Sequence, residues 1–106
     1  MAEWVNVGTV EEIRPGSHKI MDVDGVMIAV FNVDGGFYAI EDVCTHDGGV
    51  LTGGAVNGCI ITCPRHGATF DVRTGEALTA PAYEPVAKFP VRLQDGMVQV
   101  KADRWD

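Results

Sequence analysis

Four side chains in this sequence have the chemistry to hold a metal centre between them: Cys44 and His46 in Cys44-Thr45-His46, and Cys63 and His66 in Cys63-Pro64-Arg65-His66. Thiolate sulfur and imidazole nitrogen are ligands of zinc and of iron. Each group offers one sulfur and one nitrogen at a spacing that lets a bent loop turn both toward one point. The stretch from Asp47 to Thr62 lets the second loop approach from elsewhere. Two such loops can clasp a binuclear iron centre, with both cysteines on one iron and both histidines on its neighbour. The same four side chains also complete a tetrahedral zinc set. Zinc sites usually pair like with like, however, and each loop here is mixed.

Loops of this kind need a scaffold to aim them. Short alternating apolar segments recur between turn signals at Ile20 to Val23, Val26 to Phe31, Phe37 to Glu41, Cys59 to Cys63, Val86 to Leu93 and Met97 to Lys101. These predict strands. Asp24-Gly25, Asp34-Gly35-Gly36, Asn57-Gly58 and Asp95-Gly96 fall between them and suit the positive φ angles of tight hairpins. The architecture expected is all-β and antiparallel. No apolar pattern at helical spacing persists for three turns, so helix is expected to be scarce, with Thr9 to Arg14 forming a short helical turn or a strand end. From Val43 to Pro81 the texture shifts to glycine pairs and the two Cys/His groups, which reads as a small insertion of residues 43–81 built around a site. The flanks, 1–42 and 82–106, then complete one base together, since neither is long enough to bury a core alone.

The chain has 106 residues, enough for one domain. Its net charge of −7, from 15 acidic and 8 basic residues, argues against nucleic acid or an anionic membrane as partner and suits a basic docking surface on another protein. No stretch approaches the roughly 20 apolar residues that span a bilayer, and residues 1–6 do not read as a signal peptide. Three cysteines cannot all pair with one another, so metal binding or burial in a reducing cytoplasm is expected ahead of a disulfide scaffold.

With its order, spacing, Pro64 and Gly67, the motif pair resembles that of the Rieske family closely, and the resemblance extends over nearly the whole chain. It takes in the hairpins before Cys44, Phe70-Asp71, Thr74-Gly75, and Pro81 to Pro85, which looks like the family's proline loop. It implies a single Rieske domain, an antiparallel β sandwich or barrel base with a small inserted cluster-binding subdomain. It also implies one [2Fe-2S] cluster, with Cys44 and Cys63 on the inner iron and His46 and His66 on the outer. Two Fe(III), two sulfides and two thiolates sum to zero, so reduction gives −1, whereas four thiolates would carry it from −2 to −3. Histidine ligation therefore raises the potential. High-potential members have a disulfide between positions matching Gly49 and Arg65, and a serine and a tyrosine at positions matching Ala68 and Phe70. All four are absent here, so a low potential, of order −150 mV, is expected.

The resemblance is strongest to the ferredoxins of aromatic-ring dioxygenase systems. It implies a cytoplasmic electron carrier, not itself an enzyme, that transiently meets a flavin-dependent ferredoxin reductase and a terminal oxygenase. The alternatives are the small subunit of an assimilatory nitrite reductase and a Rieske-like scaffold without its cluster. Several other residues call for plainer readings. Cys59 is expected to pack rather than ligate. His18 reads as an exposed loop residue, and Trp4 and Trp105 as packing anchors. Asp47 is a turn residue or an acceptor for the His46 ring, Arg65 contacts an acidic partner surface or satisfies nearby carbonyls, and Ala102 to Asp106 is a loosely held tail.

Overall fold

The computed structural model describes residues 3–44, 49–64, 67–80 and 82–101. Among them are ten strands and no helix: β1 Val5–Thr9, β2 His18–Val23, β3 Val26–Val33, β4 Gly36–Glu41, β5 Val56–Asn57, β6 Ile60–Thr62, β7 Thr69–Asp71, β8 Lys88–Phe89, β9 Val91–Gln94 and β10 Met97–Val100. They form three antiparallel sheets in the orders β1-β10-β9, β2-β3-β4-β8 and β5-β6-β7. The all-β antiparallel class expected from the hairpin signals is the one observed.

The four-stranded sheet is the middle layer. Ile28, Val30, Ala39 and Phe89 pack on one of its faces with Val7, Val98 and Val100 of the β1-β10-β9 sheet. Ala29, Phe31 and Ile40 pack on the other with Ile61 and Phe70 of the β5-β6-β7 sheet. Covered on both sides, β3 is buried without interruption from Ile28 to Asn32, which explains why Ile28 to Phe31 departs from the expected alternation and is continuously apolar. Asn32 satisfies its buried amide by donating to Ile13 O at 2.7 Å and accepting from Gly35 N at 2.8 Å.

Three hairpins turn on Asp-Gly pairs with both residues at positive φ: Asp24 and Gly25 at 53° and 83°, Asp34 and Gly35 at 51° and 92°, Asp95 and Gly96 at 53° and 77°. These are the two-residue turns whose twist matches that of the strands. The fourth differs from expectation. Asn57 pairs with Ile60, so the turn is Gly58-Cys59, with only Gly58 at positive φ. The expected strand Val86 to Leu93 is two strands, because Pro90 has no N–H for a ladder. β8 pairs with β4 and β9 with β10, so the chain changes sheet at that proline. His18 is the first residue of β2 rather than a loop residue; it is exposed, with its ring 5.4 Å from that of Phe31. After β1, Thr9 and Glu12 exchange bonds, Thr9 N to Glu12 Oε1 at 3.1 Å and Glu12 N to Thr9 Oγ1 at 3.2 Å. The reciprocal cap closes one turn before Pro15, which disfavours helical backbone at the residue before it.

Candidate metal centre and its loops

Cys44 and Cys63 lie far apart in sequence, yet both are wholly buried, at 0% and 1% exposure, in one apolar cluster with Leu51, Ile61, Ala68 and Phe70. Each starts a loop closed by backbone hydrogen bonds. Cys44 N donates to Gly49 O at 2.8 Å; Cys63 N donates to Ala68 O at 2.6 Å, and Gly67 N returns to Cys63 O at 3.1 Å. The first loop leaves the central sheet after β4, and the second is the tip of the β6-β7 hairpin. His46 and His66 belong by sequence to these two loops and lie outside the described residues, as do Asp47, Arg65 and Pro81.

A buried carboxylate that the motif reading passed over ties the first loop down. Asp42, 8% exposed, accepts from Leu51 N at 3.0 Å, Thr52 N at 2.7 Å and Thr52 Oγ1 at 2.7 Å. It thereby joins the chain entering the loop to the chain leaving it. The exit then runs against the stem of the second loop. Thr62 N donates to Ala55 O at 2.9 Å, and a Cβ added at Gly54 would overlap the Thr62 carbonyl oxygen. Thr62 precedes Cys63, so the two cysteines are connected through Asp42, Thr52, Gly54 and Thr62.

A third segment closes over the same cluster. Ala82 and Val86 are buried in it, and Val86 N donates to Gly75 O at 2.8 Å. Tyr83 between them is 83% exposed. Val86, which follows the Pro81 to Pro85 stretch, is held against Gly75 by that bond. Asp71 holds the turn beneath: its backbone oxygen accepts from Gly75 N at 2.7 Å, and its carboxylate takes Arg73 N at 2.8 Å, Nε at 3.2 Å and Nη2 at 3.0 Å.

The Arg73 side chain, first through its hydrogen bonds, holds the Asp71 carboxyl below its ordinary value. A depressed folded-state value adds stability above the unfolded pKa, about 3.9, and that stability is lost as pH falls through the folded value. Urea midpoints are thus expected to drop below about pH 4 in the parent and to drop less in Arg73→Ala; equal slopes for the two proteins would remove the pair from the acid response.

None of the cysteines is in a disulfide. Cys59 sits in the β5-β6 turn, partly buried against the apolar cluster, which suits the packing role expected of it. Ala68 and Phe70 are each 0% exposed in that cluster, so no hydroxyl stands at either position. Trp4 packs beneath two cations, with Arg92 Cζ 4.5 Å and Lys101 Nζ 4.9 Å from its ring, while Trp105 and the 102–106 tail lie outside the described residues.

The described part of the site fits a thiolate-bound cluster. Two soft donors are buried together at the bases of two hydrogen-bonded loops, and apolar side chains keep water from the sulfur side. The Rieske [2Fe-2S] domain family matches residues 3–90 of this chain. The chain belongs to that family. Its cofactor is one Rieske-type [2Fe-2S] cluster.

The relatives match nearly the whole of this Rieske domain. It is 34% identical to Ferredoxin CarAc of Metapseudomonas resinovorans over 95% of each chain. It is 37% identical to the biphenyl dioxygenase ferredoxin subunit of Pseudomonas sp. (strain KKS102) over 91% of this chain and 89% of that one. Among solved structures it superposes at TM-score 0.92 and 34% identity on a chain in the complex of reduced oxygenase and oxidized ferredoxin in carbazole 1,9a-dioxygenase, covering 97% of this chain and 96% of that one. These matches favour an electron-transfer component over the nitrite reductase subunit and over a catalytic chain. Among the described residues no helix is long and apolar enough to cross a membrane.

Proposed function

We propose that this Rieske domain is a low-potential one-electron carrier of the cytoplasm that accepts electrons from a flavin-dependent ferredoxin reductase and delivers them to a terminal aromatic-ring-hydroxylating oxygenase. The observation that carries the reading is the near full-length match, in both directions, to ferredoxin components of dioxygenase systems. The related chain solved in a complex with an oxygenase supports the delivery step. Unbridged cysteines suit a reducing compartment.

In this reading Cys44 and Cys63 hold the inner iron and His46 and His66 the outer, within a subdomain of about residues 43–81 inserted in a base of 1–42 and 82–106. That β5, β6 and β7 form a sheet of their own among the described residues supports the division. When bound, the [2Fe-2S] cluster supplies a one-electron couple. The chain holds the two loops in register, excludes water from the thiols with Leu51, Ile61, Phe70 and Ala82, and withholds hydroxyl donors at Ala68 and Phe70, which keeps the potential low. The net charge of −7 makes docking transient and salt-sensitive.

Anaerobic purification is expected to yield a red-brown protein with two irons per chain, whose absorption bleaches on mixing with a flavin reductase and NADH and recovers on adding a terminal oxygenase with its substrate and oxygen. Bleaching is expected to slow as salt rises. A colourless protein with one zinc, or a cluster that no flavin reductase reduces, would overturn the carrier role.

A further inference from the structure

The Asp42 carboxylate is a buried anion whose partners among the described residues are all neutral. Two backbone N–H groups and one hydroxyl satisfy it. Among the described residues no cation pairs with it. Hydrogen bonds from neutral groups stabilise a charge without cancelling it, so its field reaches its surroundings through a medium that screens poorly. Those surroundings are the first cluster loop. Asp42 stands two residues before Cys44, which puts their Cα atoms no more than about 7.6 Å apart.

Resting on the cluster assignment proposed above, we infer that Asp42 is a positioning residue that also sets the potential. Its three hydrogen bonds tie the chain that enters the first loop at Cys44 to the chain that leaves it at Leu51 and Thr52, and its fixed negative charge opposes reduction, the step that adds an electron to the site. Thr52 has the opposite effect. Its Oγ1 donates to Asp42 Oδ2 at 2.7 Å and so moderates the charge. The low potential then has a source in the chain besides the missing hydroxyls at Ala68 and Phe70.

The two partners give a test of sign. In the iron-loaded protein, Asp42→Asn keeps the side chain's shape and removes the charge, so the reduced form is expected to gain about tenfold over the oxidised form, a rise of about 59 mV in midpoint. Thr52→Val removes a donor and leaves the charge less moderated, so its midpoint is expected to fall, by about threefold in the same ratio. A purely structural role would shift both variants the same way or neither. Iron content, the low-temperature electron paramagnetic resonance spectrum and voltammetry at pH 7 are measured together on the parent and both variants.

Opposite shifts with two irons retained support the inference; an unchanged midpoint in Asp42→Asn, or shifts of one sign, overturns it. If Asp42→Asn assembles no cluster, Thr52→Val alone decides: a fall supports the charge and no change overturns it. A parent protein without iron overturns the cluster assignment instead, so the two failures are distinguishable.

Discussion

Replacing Gly54 by alanine is expected to strip this protein of most of its iron, although Gly54 offers no ligand. A Cβ there would overlap the carbonyl oxygen of Thr62 and lie 2.9 Å from its carbonyl carbon and 3.2 Å from Pro64 Cδ. The obstruction is backbone rather than the yielding end of a side chain. Neither strand is free to give way: Thr62 N is held by Ala55 O and Cys63 N by Ala68 O. Relief requires the stem of the second loop to shift at the residue before Cys63, and overpacking against fixed backbone costs about 3 kcal/mol or more. Gly53 is the control. Its φ is +108° with nothing within 4 Å of an added Cβ, so Gly53→Ala carries conformational strain alone, about 1 to 3 kcal/mol. Iron per chain and the urea midpoint of both variants check this; a Gly54→Ala protein as iron-rich and as stable as Gly53→Ala would show that the stem is softer than its hydrogen bonds imply.

The parts of the fold legible in the sequence are those set by neighbours along the chain. Asp24-Gly25, Asp34-Gly35 and Asp95-Gly96 dictate hairpins through their own backbone preferences, and each flanking pair of strands followed. Distant partners were not legible. β1 pairs with β10 from the other end of the chain, across a register shift between Asn6 and Gly8, and its Val-Asn-Val alternation is only three residues long before Gly8. β5 and β7, of two and three residues, exist because β6 lies between them. Pro90 was visible, yet its effect depends on a second sheet being there to receive β9.

At the site, thiols and imidazoles announce themselves by type and spacing, and the structure brings the two cysteines into one buried cluster. The supports do not announce themselves. Asp42 differs from the other aspartates of an acidic chain only in its burial and in meeting Leu51 and Thr52. Gly54 reads as one more loop glycine until Thr62 is laid against it. What holds a ligand loop is decided by contacts between segments, and a spacing pattern records only contacts within one.

The ligand assignment makes the other large effect, and it separates the cysteines from one another. Cys44→Ala and Cys63→Ala are each expected to fall from two irons per chain to none while remaining folded, because each removes one small sulfur from an apolar cluster that also holds Leu51, Ile61, Phe70 and Val72. Cys59→Ala is expected to keep both irons, since Cys59 lies in the β5-β6 turn, partly exposed. Cysteine in place of His46 or His66 is a different change, from a neutral donor to an anionic one. Each thiolate adds one negative charge before the electron arrives, so reduction becomes harder. Full cysteine ligation lies near −400 mV against a lower Rieske bound near −150 mV, so one exchange is expected to lower the midpoint by on the order of 100 mV if the cluster assembles. Iron analysis and voltammetry on the five variants decide the assignment: a Cys44→Ala or Cys63→Ala protein that keeps two irons, or a Cys59→Ala protein that loses them, places the cluster on other sulfurs.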